Sequence, residues 1–300
     1  MNKNIIITGG LGQDGQILTK ILNYNKNKIF IFARSKRVID KDNIKLLKQN
    51  LFIKKKIDKF FKKIKPDIVL HLASNNPSFN EKNYKLFYEE NLLATKNIFL
   101  STFQANKKAK FVFCSSSKIF RKKSGVVNEK SKKIASSDYT KFRIKSNEFM
   151  LKYKKRHKIN YTNAILFNHD SLFRNKKFLL PRLVNFIIKK DTDNLKKIIM
   201  ANIVCDFSHA EDICNGLKKI IFSKFNEDNI ILSSGKSTHV NEIIKFIINK
   251  NKININLKLN KEKNIKCLVG NNKLAKKLLN WKPRKNIFIA ANEIYKNYIY

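Results

Sequence analysis

The sequence of 300 residues predicts an α/β protein with a doubly wound parallel sheet and a smaller C-terminal lobe. Three observations lead to this fold class. Short apolar runs, of the length that buried strands have, alternate with helical patterns over residues 4–167. A glycine-rich turn lies between the first apolar run and the first helical pattern. No internal repeat or low-complexity linker interrupts the alternation, which becomes less regular only after residue 167.

The first strand and the turn after it read NIIITGGLGQDG, residues 4–15. Isoleucines 5–7 form a short apolar strand, and Gly9, Gly12 and Gly15 follow at three-residue intervals before a helical run at 16–22. A sharp turn that leads into a helix N-terminus presents backbone N–H groups to a pyrophosphate. The stretch therefore predicts a Rossmann-type dinucleotide site. A glycine turn without a ligand is the alternative, which the alternating chain that follows disfavours.

The second strand, residues 28–33, ends at a group of cations that begins with Arg34. An acidic residue at this place would bind the ribose 2′-hydroxyl of NAD, whereas cations suit a 2′-phosphate. NADP is therefore the predicted cofactor, with NAD as the alternative. Arg34 is otherwise one more solvated base in a basic chain.

The remaining elements follow in order. We predict a weak third strand at 50–53, a basic amphipathic helix at 56–65, and a fourth strand at 67–73 that leads into Leu72, Ala73 and Ser74. Next come a helix at 91–104, a strand at 110–117, a long helix at 139–157 and a strand at 163–167. The last predicted elements are a helix at 181–190, an extended segment at 203–207, a helix at 210–222 and a strand at 229–232. We expect a dinucleotide-binding domain of residues 1–167 and 200–235 and a substrate-binding lobe of residues 168–199 and 236–300.

The chain has 64 lysines and arginines against 22 aspartates and glutamates. The resulting net charge of +42 would by itself suggest a nucleic-acid binder. The lysines, however, are spread through nearly every segment, so no specific nucleic-acid partner is expected. No apolar run approaches the roughly 20 residues of a membrane span, and the first strand begins too early for a signal peptide. The cysteines have no metal-binding spacing. We expect a cytoplasmic protein with reduced thiols, no metal and no membrane partner.

Three serines, residues 115–117, lie at the end of a predicted strand, and Tyr139 begins a helix 22 residues after Ser117. A tyrosine that acts as general acid or base needs a cation that lowers its pKa and a hydroxyl that holds the substrate oxygen. Arg143 lies one helical turn after Tyr139, and Ser116 supplies a hydroxyl. The pattern predicts a catalytic group of Ser116, Tyr139 and Arg143. An ordinary amphipathic tyrosine near a strand-end cap is the alternative.

These motifs resemble those of the extended short-chain dehydrogenase/reductases, which include NAD-dependent epimerases and dehydratases, and most of all the GDP-mannose 4,6-dehydratase family. TGGLGQDG at residues 8–15 resembles the family's TGITGQDG, and ILFNHDSLFR at residues 165–174 resembles its ILFNHESPRR. VGNNKLAKKLLNWKP at residues 269–283 resembles GDPTKAKEKLGWKP. The resemblance covers almost the whole chain. It implies an enzyme that uses NADP to convert the nucleotide sugar GDP-mannose to GDP-4-keto-6-deoxymannose, and we expect a homo-oligomer.

The resemblance also implies which residues form the site. The positions that match the family's pyrophosphate-binding residues are Gly9, Gly12, Gln13, Asp14 and Gly15, and the positions near the adenine are Asn50 and Leu51. Further cofactor positions are residues 72–74, Tyr84, Tyr139, Arg143, His169 and Arg174. The positions that would face the sugar nucleotide are Asn168 and Arg182. For His169 alone, a buried structural histidine is the alternative.

The chain departs from the family pattern at three places. The family has S-T-S-E after its catalytic strand, with the glutamate as base at C5 of the sugar, whereas residues 115–118 are S-S-S-K. Lys118 thus has the charge opposite to that of the expected catalytic residue. Arg143 replaces the lysine of Tyr-x-x-x-Lys, and its planar fork cannot simply take the place of the ammonium. An arginine expected near the substrate diphosphate is Cys205 here.

Two alternatives to the dehydratase therefore stay open. A 4-keto-6-deoxy nucleotide-sugar reductase needs a hydride from NADPH and a proton from Tyr139, but no glutamate. A catalytically impaired homologue would keep the dinucleotide-binding fold and pair with an active relative.

Overall fold

The computed structural model describes residues 2–23, 27–33, 43–74, 84–224, 226–259 and 267–299, without the side chains of residues 84–87. The strands are β1 (Asn4–Thr8), β2 (Lys28–Ala33), β3 (Ile44–Lys48), β4 (Ile68–His71), β5 (Lys110–Ser116), β6 (Gly125–Val127), β7 (Asn160–Leu166), β8 (Asn168–Asp170), β9 (Val204–His209), β10 (Asn229–Leu232), β11 (Ser237–His239) and β12 (Leu268–Gly270). The α-helices are α1 (Gln13–Asn23), α2 (Lys54–Ile64), α3 (Tyr84–Ala105), α4 (Asp138–His157), α5 (Leu179–Ile188), α6 (Thr192–Met200), α7 (Ala210–Phe222), α8 (Val240–Lys250), α9 (Lys273–Leu279) and α10 (Ile287–Ile299). A short 3₁₀ helix covers Ser117–Ile119.

The chain divides into two compact units. Unit 1 consists of Met1–Arg121, Lys132–Ile165 and Cys214–Ile230. Unit 2 consists of Lys122–Ser131, Leu166–Ile213 and Ile231–Tyr300. Residues 122–131, 166–167, 200–213 and 231–235, which the sequence analysis assigned to the dinucleotide-binding domain, lie in unit 2.

The main sheet confirms the predicted fold class. Among the described residues it has seven strands in the order β10-β7-β5-β4-β1-β2-β3, and they run parallel. β1 pairs with β2 on one side and with β4 on the other, so the strand order reverses at β1. In doubly wound sheets, ligands bind outside the carboxyl ends of the strands at this point of reversal. The topology thus places the predicted glycine turn at the expected binding edge.

The core of unit 1 is rich in aromatic rings. Phe99 of α3 makes edge-on contacts with Phe111 of β5 and Tyr161 of β7, with ring centroids 5.1 and 5.8 Å apart. Phe61 of α2 packs edge-on against Phe32 of β2 at 5.8 Å. These rings are buried, and edge-to-face pairs add to the hydrophobic stabilisation that their burial provides. The sheet and its helices are therefore held firmly behind the binding edge.

The predicted third strand is wrong in position. The strand lies at Ile44–Lys48, where it pairs with β2 in parallel, and residues 50–53 form a turn that leads into α2. The Asn50 side chain accepts a hydrogen bond from the backbone N–H of Phe52 at 2.9 Å. Such an Asx turn competes with extended structure. The apolar side chains of residues 51–53 were therefore misleading.

The other predicted elements differ mainly at their ends. The strand at 28–33, the helix at 210–222 and the strand at 229–232 have the predicted bounds. The first helix begins at Gln13 rather than at residue 16, and α3 extends from Tyr84 to Ala105 rather than over 91–104.

Unit 2 contains two small sheets, β11-β9-β8 and β12-β6. Its core consists of buried side chains from α5, α6, α8, α10 and β9. Most of them are aliphatic, among them Leu183, Ile199, Ile244 and Ile294, and β9 contributes Phe207. The amphipathic pattern of these helices gives each of them one apolar face. Among the described residues, no helix is long and apolar enough to cross a membrane.

Candidate active site

The glycine turn that follows β1 requires glycine at its first position. Gly9 has a φ of +71°, and a Cβ atom at Gly9 would lie 2.9 Å from the backbone nitrogen of Ala73. The Gly9 N–H donates to the Phe32 carbonyl at 2.9 Å, and the Gly12 N–H donates to the Gly9 carbonyl at 3.0 Å. The turn is therefore tight, and it packs directly against the segment that follows β4.

Helix α1 begins immediately after this turn. Gly15 lies in its first turn, and a Cβ atom there would be 2.3 Å from the Cα of Gly10. Only glycine allows the helix to approach the turn so closely. Gln13 is buried and donates to the Asp14 carboxylate at 3.1 Å. The predicted pyrophosphate residues thus form one compact strand–turn–helix motif, with the N–H groups of the helix N-terminus at the turn.

Residues 72–74 line the same edge after β4. The Leu72 N–H donates to the Thr8 carbonyl at 3.2 Å, and the Ala73 N–H donates to the Thr8 hydroxyl at 3.3 Å. All three residues are partly exposed. The segment is therefore fastened to the end of β1 and stays accessible.

Ser116, Tyr139 and Arg143 lie together in unit 1. Ser116 ends β5, and a capping box formed by Ser137 and Thr140 fixes the first turn of α4, which carries Tyr139. Arg143 follows one turn later, with its Cζ 5.1 Å from the centroid of the Tyr139 ring.

Polar and aromatic groups hold the Arg143 guanidinium in place. It donates from Nη1 to the Cys114 carbonyl and from Nη2 to Ser74 Oγ, the latter at 2.8 Å. Its Cζ also lies 5.4 and 4.9 Å from the ring centroids of Phe113 and Phe142. Arg143 is only 5% exposed, and hydrogen bonds together with ring faces compensate for the lost hydration of its charge.

The electrostatics around Tyr139 favour the phenolate. Burial raises the pKa of Tyr139, but the Arg143 charge, hydrogen bonds with Ser116 and Arg143, and the Lys118 charge lower it. The net result is a pKa below the ordinary value of 10.0. A phenol with a lowered pKa, hydrogen-bonded to a serine hydroxyl, can exchange a proton with a hydroxyl or carbonyl oxygen of a substrate.

Lys118 lies in the 3₁₀ helix immediately after Ser116. Its backbone N–H donates to Ser116 Oγ at 3.3 Å, and its side chain is exposed. A protonated lysine cannot abstract a proton from carbon. This position therefore places positive charge near Tyr139, where the family pattern has a glutamate.

The adenine candidates lie in the turn before α2. Asn50 is exposed, and the Leu51 carbonyl accepts a hydrogen bond from Asn97 of α3 at 3.0 Å. Arg34 and the side chain of Tyr84 lie outside the described part of the chain.

The other candidates, Asn168, His169, Arg174 and Arg182, lie in unit 2. His169 Nδ1 is 2.6 Å from the Phe167 carbonyl, so this nitrogen carries the proton. Arg174 Nε lies 2.9 Å from Asp170 Oδ1, and Arg174 Cζ lies 3.7 Å from the centroid of the Phe178 ring. Arg182 Cζ is 5.9 Å from the centroid of the Phe186 ring, and Asn168 is exposed.

Two aspartates organise unit 2, and the sequence reading missed both. The Asp206 carboxylate accepts hydrogen bonds from the Ser234 N–H and hydroxyl and from the N–H groups of Gly235 and Gly270, at 2.6–3.2 Å. Burial raises the pKa of Asp206, and these hydrogen bonds oppose the rise. An aspartate inside an apolar strand was the available signal.

Asp212 holds the segment around the Trp-Lys-Pro sequence at residues 281–283 in place. Its carbonyl accepts from the Trp281 indole at 2.9 Å, and its carboxylate accepts from the backbone N–H groups of Arg284 and Lys285 at 2.8 and 2.7 Å. The motif therefore anchors the C-terminal segment. Among the described residues, no group of three or more His, Cys, Asp and Glu side chains could hold a metal ion.

Comparisons with known proteins agree with this architecture. A family model described as GDP-mannose 4,6 dehydratase matches residues 6–293. D-erythronate dehydrogenase from Haemophilus influenzae is 31% identical over 122 residues, a match that spans 39% of this chain and 38% of that protein.

Solved structures resemble the chain over its whole length. UDP-glucose 4-epimerase from Thermotoga maritima has a TM-score of 0.83 at 15% identity and covers 100% of this chain and 99% of its own. dTDP-glucose 4,6-dehydratase from Bacillus anthracis, solved with NAD, has a TM-score of 0.81 at 16% identity, with 98% and 96% covered. At such identities the likeness establishes the fold.

Proposed function

Since the chain belongs to the GDP-mannose 4,6 dehydratase family of nucleotide-sugar epimerases and dehydratases, we propose that it is an enzyme that uses NADP to transfer hydride at a carbon atom of a nucleotide sugar. The observation that carries the proposal is the group of Ser116, Tyr139 and Arg143 beside the glycine turn in unit 1. Arg143 connects the catalytic group to the glycine turn. It contacts Tyr139, and it donates to Ser74, which belongs to the segment that packs on the turn.

The residues of unit 1 fit a nicotinamide dinucleotide. The turn at Gly9 and Gly12 and the N-terminus of α1 would hold the pyrophosphate, and residues 72–74 would line the site next to it. The coenzyme, when bound, supplies or accepts the hydride. Structures of relatives were solved with NAD. The cations that begin at Arg34 favour NADP on sequence grounds.

Tyr139 would hold and move the proton of the sugar hydroxyl or ketone at the reacting carbon. Ser116 would hold the same oxygen through its hydroxyl. Arg143 would keep the phenol acidic, and because an arginine stays charged across the working pH range, the phenol would be acidic throughout it. Such positioned proton transfer typically contributes about 10²–10⁴-fold to a rate.

The family description makes 4,6-dehydration of GDP-mannose the first reaction to test. Lys118 favours a second candidate, the reduction of a 4-keto-6-deoxy nucleotide sugar, because that reaction needs no base at C5. The name of the relative D-erythronate dehydrogenase also denotes hydride transfer. The third candidate is an impaired homologue that binds the dinucleotide without turnover.

The test incubates the purified protein with GDP-mannose and NADP, and separately with a 4-keto-6-deoxy nucleotide sugar and NADPH. A 4-keto-6-deoxy product in the first mixture supports dehydration, and NADPH consumption in the second supports reduction. Coenzyme binding without either product supports the impaired homologue. Absence of coenzyme binding contradicts the whole proposal.

A reversion experiment tests the departures directly. If Lys118→Glu combined with Arg143→Lys produces dehydration where the parent has none, these two positions explain the loss. An unchanged product pattern would mean that they do not.

We further propose that unit 2 binds the nucleotide sugar, with Asn168 and Arg182 as contacts. The roles of His169 and Arg174 at the coenzyme stay predictions from the sequence. A homo-oligomeric state and a cytoplasmic location also stay predictions. Light scattering of the purified protein measures the first, and fractionation of cells measures the second.

A further inference from the structure

His71 is a buried histidine that the proposed reaction does not use. It ends β4, its cross-strand partner on β1 is Thr8, and its ring stacks on Phe113 of β5 with centroids 5.9 Å apart. His71 and Thr8 are 0% exposed, and Thr95 of α3 is 1% exposed. The imidazole therefore lies within the sheet–helix interface behind the binding edge.

Both ring nitrogens have hydroxyl partners. Nδ1 lies 2.8 Å from the Thr8 hydroxyl, and Nε2 lies 2.9 Å from the Thr95 hydroxyl. A neutral imidazole has one donor and one acceptor, and a hydroxyl can serve as either, so the two threonines satisfy the ring in either tautomer. Burial, together with the Arg143 charge, lowers the pKa of His71 to about 3. The ring is thus neutral at working pH and carries no proton for the reaction.

The Thr8 hydroxyl has a second partner, which points to what the network does. It accepts the Ala73 N–H at 3.3 Å, and the Ala73 nitrogen lies only 2.9 Å from the place that a Cβ atom of Gly9 would occupy. The next residue, Ser74, accepts a hydrogen bond from Arg143. A displaced Thr8 hydroxyl would therefore disturb the glycine turn and the Arg143 anchor together.

We propose that His71 is a positioning residue of the coenzyme site, whose ring fixes the Thr8 hydroxyl and thereby holds residues 72–74 against the glycine turn. The Thr95 side of the ring anchors the network to α3, whereas the Thr8 side sets the geometry of the site. The link to coenzyme affinity rests on the proposed function, but the link to the 72–74 segment does not.

The test compares two substitutions that each keep one side of the ring. The amide of His71→Asn occupies the place of Nδ1 and keeps the Thr8 contact, whereas that of His71→Gln occupies the place of Nε2 and keeps the Thr95 contact. We expect His71→Gln to raise the Kd for NADPH about tenfold and His71→Asn to raise it less than about threefold, with similar losses of Tm. Equal changes of Kd, or changes that follow the loss of Tm, would overturn the proposal.

A pair of threonine variants provides a second test in case the His71 variants do not fold. Thr8→Val and Thr95→Val each remove one hydroxyl without a change of shape. Thr8→Val should weaken NADPH binding about tenfold and Thr95→Val less than about threefold. Equal effects would reduce the network to a packing role.

Amide hydrogen exchange on the full chain without coenzyme separates this proposal from the proposed function. The Ala73 amide should exchange faster in His71→Gln than in His71→Asn, and Thr8→Val should accelerate it more than Thr95→Val does. If the wild-type protein binds no coenzyme, the proposed function fails while the exchange data still decide the role of His71. Equal exchange at Ala73 in all variants refutes that role.

Discussion

The glycine-turn region and the catalytic region of unit 1 differ in how they handle charge. Behind the turn, the buried group is a neutral imidazole that two hydroxyls satisfy, and close backbone contacts at Gly9 and Gly15 set the shape. The catalytic region instead places the cations of Arg143 and Lys118 near a phenol. The first arrangement fixes geometry, and the second adjusts a proton affinity. Substitutions in the two regions should therefore fail differently.

The largest expected effect is on turnover, in Tyr139→Phe. Loss of the phenolic hydroxyl removes the proton transfer but leaves the glycine turn intact, so the rate should fall by about 10²–10⁴-fold while the protein still binds NADPH. Steady-state rates and a fluorescence titration measure the two quantities. Tyr153→Phe, on the same helix and packed against Phe99, is the matched control and should keep the rate. Turnover that survives in Tyr139→Phe would remove the phenol from the mechanism.

Gly9→Ala, in the glycine-turn region, should have the next largest effect, on both stability and coenzyme binding. The substitution forces a side chain into positive φ and brings its Cβ to 2.9 Å from the Ala73 nitrogen. We expect a loss of about 2–3 kcal/mol in the free energy of unfolding, together with weaker NADPH binding. Urea denaturation and the same titration measure both. Gly125→Ala is the control, since its φ is +84° with nothing within 4 Å of the added Cβ; it should cost about 1 kcal/mol and leave binding unchanged. Equal losses in both variants would mean that the close approach at Gly9 has no energetic weight.

These two regions also mark what the sequence could and could not predict. The glycine turn and its helix are encoded in adjacent residues, so their spacing was sufficient. The contact between Thr8 and His71 joins positions 63 residues apart, and no local period encodes it. The hydrogen bonds that Asp206 accepts from Ser234 and Gly270 also join distant positions, so they could not be predicted from the sequence either.

The misplaced third strand shows the complementary failure. Residues 51–53 have strand-like side chains, yet a single side-chain hydrogen bond from Phe52 to Asn50 selects a turn. At Arg143 the sequence supplied the cation near Tyr139, but not its contact with Ser74. Proximity on one helix is predictable, whereas a partner on a distant loop depends on the whole sheet.

The neutral ring of His71 predicts a pH dependence of stability. Its pKa is 6.5 when unfolded and about 3 when folded, so the unfolded chain binds the extra proton between these values. The stabilisation is complete above pH 6.5 and decreases as the pH falls from 6.5 toward 3, with a limiting slope of about 1.4 kcal/mol per pH unit. Urea denaturation of wild type and His71→Asn between pH 4.5 and 6.5 isolates the contribution of His71 to the free energy of unfolding, because the other titrating groups are common to both proteins. Parallel curves would contradict a neutral buried ring.

The smallest expected effect is in Lys118→Gln, and it sharpens the comparison most. The Lys118 charge is the last of the influences that lower the pKa of Tyr139, after those of Arg143 and Ser116. Its removal should raise the pKa of the phenol slightly. Removal of the Arg143 charge, which has the larger influence on Tyr139, should raise this pKa more in Arg143→Met. NMR of tyrosine labelled with ¹³C at Cζ measures this pKa without any turnover, and the signal absent from Tyr139→Phe identifies the resonance. Lys107→Gln removes the same charge from an exposed position before β5, at the opposite edge of the sheet, so it controls for the change in net charge. Because exposed charges are screened within about 10 Å at 0.1 M salt, Lys107→Gln should leave the Tyr139 resonance unmoved. An equal shift in both lysine variants would mean that Tyr139 senses the overall charge of the chain and that Lys118 has no particular place beside it.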